Sequence, residues 1–113
     1  MKKIGVLLLL IAPFALQFCS SSKKAAKTPP PLTYTTDVQP LIVANCTPCH
    51  FPAKGGNKKP LDTYGATTAN IDDIINRIQR SPDQRGFMPF KHPKLSDSTI
   101  NVFVQWKKDG LRE

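Results

Sequence analysis

Metal-binding side chains are scarce in this chain. In 113 residues it holds three Cys, two His and two Met. A structural zinc centre wants four protein donors. The Cys and His present barely reach that number, and one of them, Cys19, lies far from the rest. Acidic residues are also few, eight Asp and Glu against sixteen Lys and Arg, for a formal charge of +8. No stretch alternates apolar and polar residues as a half-buried strand would. No internal repeat is visible, and the length leaves room for one domain. A long apolar run is missing as well. Ile4 to Ala12 is nearly all apolar, and that character persists to Phe18, broken by Pro13 and Gln17. Spanning a bilayer takes roughly 20 apolar residues.

What stands there instead reads as an export segment. Lys2 and Lys3 precede the apolar run, so residues 1–18 are expected to be a secretory signal peptide. In "ALQFCSSS", Cys19 then occupies the place of an acylated lipoprotein cysteine, with Leu16 three positions before it. Phe18 departs from that signal, which prefers a small residue. The count of cysteines agrees, because an exported protein should not leave a free thiol exposed to oxidation. Residues 19–32 are low in complexity and pass through three prolines before Leu32. They are expected to form a lipid-anchored flexible linker reaching at most roughly 40 Å. Ser20 lacks the aspartate that would argue for retention at an inner membrane, so the expected place is the periplasmic face of an outer membrane. Without Lys2 and Lys3 the net charge falls from +8 to +6. For an exported protein this suggests an acidic docking partner or anionic lipid rather than nucleic acid. Scattered lysines read equally well as solvated surface charge.

Residues 33–113 carry three helical signals. The first starts at Thr36, where Thr36 and Gln39 match a reciprocal capping box and Asp37 favours the positive end of the dipole. Val38, Leu41 and Ile42 fall on one face, and Pro40 sits in the first turn, where its missing N–H does little harm. The second signal is "NIDDIINRIQRSP". Asn70 is its expected cap, Ile71, Ile74, Ile75 and Ile78 form an amphipathic stripe, and Pro82 stops it. The third is "SDSTINVFVQWKKDGL", capped by Ser96 and closed by Gly110, with Leu111 folding back on Trp106. The fold class is therefore all-α. Three short helices give a thin core that is marginal without a staple.

The staple is suggested by "CTPCH". Cys46 and Cys49 stand three positions apart with His50 directly behind them. That spacing is the signature of covalent haem attachment of the c type. Two thiols must reach two vinyl groups of one porphyrin, and an adjacent imidazole must reach the iron. One helical turn after Cys46 would bring Cys49 to the same side. A zinc site would need a carboxylate or water to complete its set, and a dithiol redox pair usually sits near a βαβ pattern that is missing here. The iron then needs a sixth ligand. Met88 in "GFMPF" lies 38 positions past His50, in a Pro- and Gly-rich loop rather than on a helix stripe. Its thioether is a soft ligand suited to low-spin iron. His92 is the competitor, and otherwise a surface loop histidine. Met1 would be lost with the signal.

"CTPCH", "KPLDTY", "FMP" and a helix ending "WKKDG" together resemble a small class I monohaem cytochrome c of the bacterial membrane-associated type. The resemblance covers Asp37 to Leu111. It implies a cytochrome c-like domain of three main helices around one covalent haem c, the first and last helices meeting beside the haem edge. It implies His50 as proximal and Met88 as distal ligand. It also implies that the Pro60 carbonyl accepts from the far nitrogen of the His50 ring, which would hold the tautomer. Phe51 departs from the glycine common after that histidine. Trp106 reads either as a donor to a haem propionate or as plain core, with core the stronger reading. Arg77 or Arg80 reads as a propionate partner or as a solvated helix end.

The expected function is that of an electron carrier in an exported bacterial chain, not an enzyme, with redox proteins as partners. No catalytic acid–base pair accompanies the expected iron. The competing class is a haem enzyme or sensor with a labile sixth ligand, and behind it a zinc-binding interaction module.

Overall fold

The computed structural model describes residues 28–113. The expected signal segment, Cys19 and most of the tether lie outside the described residues. Among those described, the chain is helical and forms no strand, in line with the all-α expectation. Its α-helices are α1 (Gln39–Cys46), α2 (Tyr64–Ala69), α3 (Ile71–Ile78) and α4 (Asp97–Lys108).

The first helical segment opens earlier than Thr36. Residues Tyr34–Val38 form a wide π-type turn that runs straight into α1. Thr33 is the cap: its Oγ1 accepts from the Thr36 N–H at 3.3 Å, while Asp37 Oδ2 accepts from the Thr33 N–H at 2.8 Å. The reciprocal pair is thus Thr33 and Asp37 instead of Thr36 and Gln39. Starting early brings Tyr34 into the core beside Val38, both essentially buried. Burying one large side chain is worth about 1.5–3 kcal/mol, enough to outweigh the poorer geometry of a π turn. The segment stops at Cys46 because Thr47 is extended (φ −79°, ψ 146°), the conformation favoured before a proline.

The short helix α2 was not signalled by "YGATTA", whose Gly and Thr residues are weak helix formers. Tertiary bonds hold it. Thr63 caps it, and the buried Thr67 hydroxyl donates to the Leu61 carbonyl at 3.1 Å. Helix α3 buries Ile71, Ile74 and Ile78 as the stripe requires, but ends at Ile78, before Arg80. Asn70 precedes α3 without capping it through its side chain. Its Nδ2 instead donates back to the Ala66 carbonyl at 2.7 Å, sealing α2.

Helix α4 follows its sequence signals closely. The Ser96 hydroxyl accepts from the Thr99 N–H at 3.2 Å, and Ile100, Phe103 and Trp106 are buried. Gly110 adopts φ +90°, and the Leu111 N–H returns to the Trp106 carbonyl at 3.0 Å. This helix packs on α3 and on the opening turn of the first segment. At that junction the rings of Tyr34, Tyr64 and Trp106 meet with centroids 5.5 to 6.4 Å apart. The two ends of the domain are tied there as well: the Tyr34 N–H donates to Arg112 O at 2.7 Å, and the Leu32 N–H to Asp109 Oδ2 at 2.8 Å.

Candidate functional site

The loop from Cys46 to Leu61 folds back on itself. The His50 N–H donates to the Cys46 carbonyl at 3.0 Å, closing a single turn, and the Phe51 N–H donates to Pro48 O at 3.0 Å. That turn brings Cys46, Cys49 and His50 to one cavity. The buried Phe51 ring anchors it in the core. Residues 58–61 then run beside 49–50: the Lys58 N–H donates to Cys49 O and the Leu61 N–H to His50 O, both at 3.0 Å. Gly56 makes this close approach feasible. A Cβ there would stand 2.5 Å from the Cys49 carbonyl oxygen and closer still to that of Pro48.

His50 is held through its inner nitrogen. Nδ1 stands 2.7 Å from a backbone carbonyl, a contact in which the ring N–H donates and Nε2 is left as the free lone pair. The carbonyl belongs to Lys59, which corrects the expectation for Pro60. The acceptor is one residue earlier because the Leu61 N–H already donates to His50 O. With that register fixed, the peptide oxygen between Lys59 and Pro60 is the one within reach of the ring. Pro60 acts on it indirectly, by restricting Lys59 to extended backbone.

The two thiols are unbridged and unequal. Cys49 is exposed. Cys46 is half-buried, and desolvation pushes its thiol up to about 11. That shift works against a reactive thiolate at Cys46. Nor do three or more His, Cys, Asp or Glu gather as a metal-ligand group among the described residues, and a structural zinc needs such a set.

The cavity measures about 490 Å³, within the roughly 300–1,000 Å³ of small-molecule and cofactor pockets. Cys46, Cys49 and His50 reach it from the first loop, and Met88, Pro89, Phe90 and His92 from the loop after α3. Leu61, Ile74, Ile78 and Phe103 supply buried apolar wall. Tertiary folding thus brings His50 and Met88 to the same cavity, with His92 also on its lining. Phe90 is 66% exposed at this place. Lys58, Lys59 and Arg77 add positive charge to the lining, and Asp73 is the one carboxylate there. Arg77 Nε donates to both Asp73 oxygens at 2.9 Å. Arg80 does not line the cavity; it donates to the Arg85 carbonyl.

Trp106 is away from the cavity lining. It is fully buried, and its indole N–H donates to the Arg112 carbonyl at 2.7 Å. Its place is in the core, and its N–H is spent on pinning the C-terminal segment rather than on a propionate. Gly56 and Asp73 were not anticipated. One glycine in a Gly- and Lys-rich loop carries no distinguishing signal, and Asp73 reads in sequence only as a first-turn acid.

Comparison with protein-family models, curated proteins and solved structures finds no match to this chain.

Proposed function

We propose that this chain is a monohaem c-type cytochrome that carries electrons between partner proteins outside the cytoplasm. The observation that carries the reading is the meeting of Cys46, Cys49, His50 and Met88 on one largely apolar cavity. The donor chemistry fits the group. Two thiols at attachment spacing lie beside an imidazole whose Nδ1 is engaged and whose Nε2 is free. A thioether comes from a distant loop. Apolar side chains between them match a porphyrin face, and Lys58, Lys59 and Arg77 supply counter-charge for carboxylates.

In this reading the cofactor is one haem c, which Cys46 and Cys49 would hold through thioethers and whose iron His50 and Met88 would ligate. When bound, the haem supplies a one-electron couple, which methionine ligation shifts to more positive potential than a second histidine would. The residues of the chain do the rest. Lys59 O holds the imidazole in one orientation, the isoleucines of α3 exclude water, and Phe90 with Lys91 presents an exposed surface to a partner. That partner is proposed to carry an acidic docking face, given the basic lining. Export through residues 1–18, anchoring through a lipid on Cys19 and a place at an outer-membrane face belong to the same proposal. Among the described residues no helix is long and apolar enough to cross a membrane.

The test is expression alongside haem-attachment machinery, followed by intact mass and oxidised and reduced spectra. One covalent haem per chain, lost in Cys46→Ala and Cys49→Ala, is the expected result. A mass matching the bare polypeptide would overturn the reading.

A further inference from the structure

We propose that Arg77, in the last turn of α3, and Arg80, just beyond it, are positioning residues that clamp the 85–88 loop and hold Met88 against the cavity. The inference rests on the reading of Met88 as an axial ligand and names what keeps it there.

The loop is anchored by one buried side chain, Phe87. It has no regular secondary structure, and Gly86 sits in the left-handed region at φ +84°. Its hydrogen bonds to the body converge on the two arginines. The Met88 N–H donates to the Arg77 carbonyl at 3.3 Å. The Arg77 guanidinium reaches the Gly86 carbonyl at 3.4 Å, and the Arg80 guanidinium donates to the Arg85 carbonyl. Each of the Arg77 bonds is long and weak singly. Together with the Arg80 bond they fix three of the four residues from 85 to 88. Asp73 stiffens the arrangement, since its carboxylate grips Arg77 Nε through both oxygens and leaves Nη1 for the Gly86 carbonyl. Gly86 fits the same picture. A Cβ there would stand 2.5 Å from an Arg80 nitrogen and 3.1 Å from an Arg77 nitrogen, so the guanidinium groups occupy the space a side chain would take.

An axial thioether is a weak ligand that depends on the chain to present it. Without the clamp the loop gains freedom, and His92, on the same cavity lining, becomes able to take the vacated position. Lysine cannot replace arginine in this role, because one ammonium cannot hold Asp73 and Gly86 through separate nitrogens of a rigid plane.

The experiment uses the haem-loaded full chain and compares Arg77→Lys, Arg77→Gln and Asp73→Asn with Arg85→Gln. Arg85 is exposed, and only its backbone carbonyl enters the clamp, so its replacement reports the loss of a nearby charge alone. The readouts are the sulfur-to-iron near-infrared band and the reduction potential, with a thermal melt alongside. Expected is loss of most of the band and a more negative potential in both Arg77 variants, including the charge-conserving lysine. Asp73→Asn, which keeps both arginines and serves if an Arg77 variant fails to fold, should lose part of it. Arg85→Gln should keep the band. A merely structural role would lower the melting temperature and leave band and potential at wild-type values, and that result overturns the clamp while the Met88 assignment stands. A wild-type protein loaded with haem but lacking the band overturns the assignment, and the clamp with it.

Discussion

Gly56 and Met88 show how differently single residues reveal themselves. Met88 declares its chemistry in sequence, because it is the one methionine of the domain and lies in a loop with Gly86 before it and Pro89 directly after. Met88→Ala is expected to abolish the sulfur-to-iron band of the loaded protein while leaving the thioether links intact. A band that survives would move the assignment to His92. Gly56 declares nothing, since its role depends on backbone from seven residues away. A Cβ at that position would press on the carbonyls of Pro48 and Cys49, and backbone yields less readily than a side-chain tip. Gly56→Ala should therefore destabilise the domain by about 1–3 kcal/mol, the usual cost of overpacking. Chemical denaturation would measure it, and a change within error would show that the loop gives way. For the same reason Lys59→Ala should leave the His50 contact in place, because the acceptor there is main chain.

Among the elements, α3 follows from its apolar period and α4 from its period and caps, and the opening segment and α2 do not. The isoleucines of α3 recur with helical spacing, and three of them are buried. Local pattern suffices where one face must be apolar. The cap at Thr33 in place of Thr36 is decided by what Tyr34 gains on reaching Trp106 and Tyr64. Helix α2 exists because Leu61 and Thr67 bond across it. At the far end, Asp109 ties Leu32, just before the opening segment, to the end of α4. The Leu32 N–H, then the Gln105 amide and the Arg112 charge hold its carboxyl below the usual carboxylate value of 3.8, against slight desolvation. A carboxyl lowered on folding adds stability above its unfolded pKa, and that contribution disappears as pH falls through the folded one. Acidification below about pH 4 should accordingly loosen the Leu32 attachment first. Amide exchange at Leu32 should accelerate there and resemble that of Asp109→Asn at neutral pH. Exchange that stays flat across this range would discount the tie.

For the molecule as a whole, the described residues form a thin helical body around a cavity, with a basic lining and an exposed aromatic at its edge. If the docking partner is acidic, electron transfer to it should slow as salt is raised, since charge attraction across such a surface is screened within about 8–10 Å at moderate ionic strength. Stopped-flow rates against ionic strength would decide this, and a flat or rising dependence would exclude an acidic face. Trp106 lies away from the cavity lining, where residues 32–34 meet the end of α4 and the C-terminal segment. Trp106→Ala should cost about 3–5 kcal/mol through the loss of a fully buried ring. A thermal melt of the loaded protein should show the loss with the axial ligands unchanged.

Helical class, the apolar stripe of α3, the caps and close of α4, and the candidate chemistry of Cys46, Cys49, His50 and Met88 could all be read from spacing along the chain. These depend on neighbours within one turn or on the intrinsic nature of a side chain, and such information is local. The carbonyl that meets His50, the need for a bare α-carbon at residue 56, the placing of Trp106 in the core and the arginines around Gly86 emerged only on folding. Each is a contact between segments distant in sequence, whose register is set by how the core closes, and a single sequence carries no local mark of it.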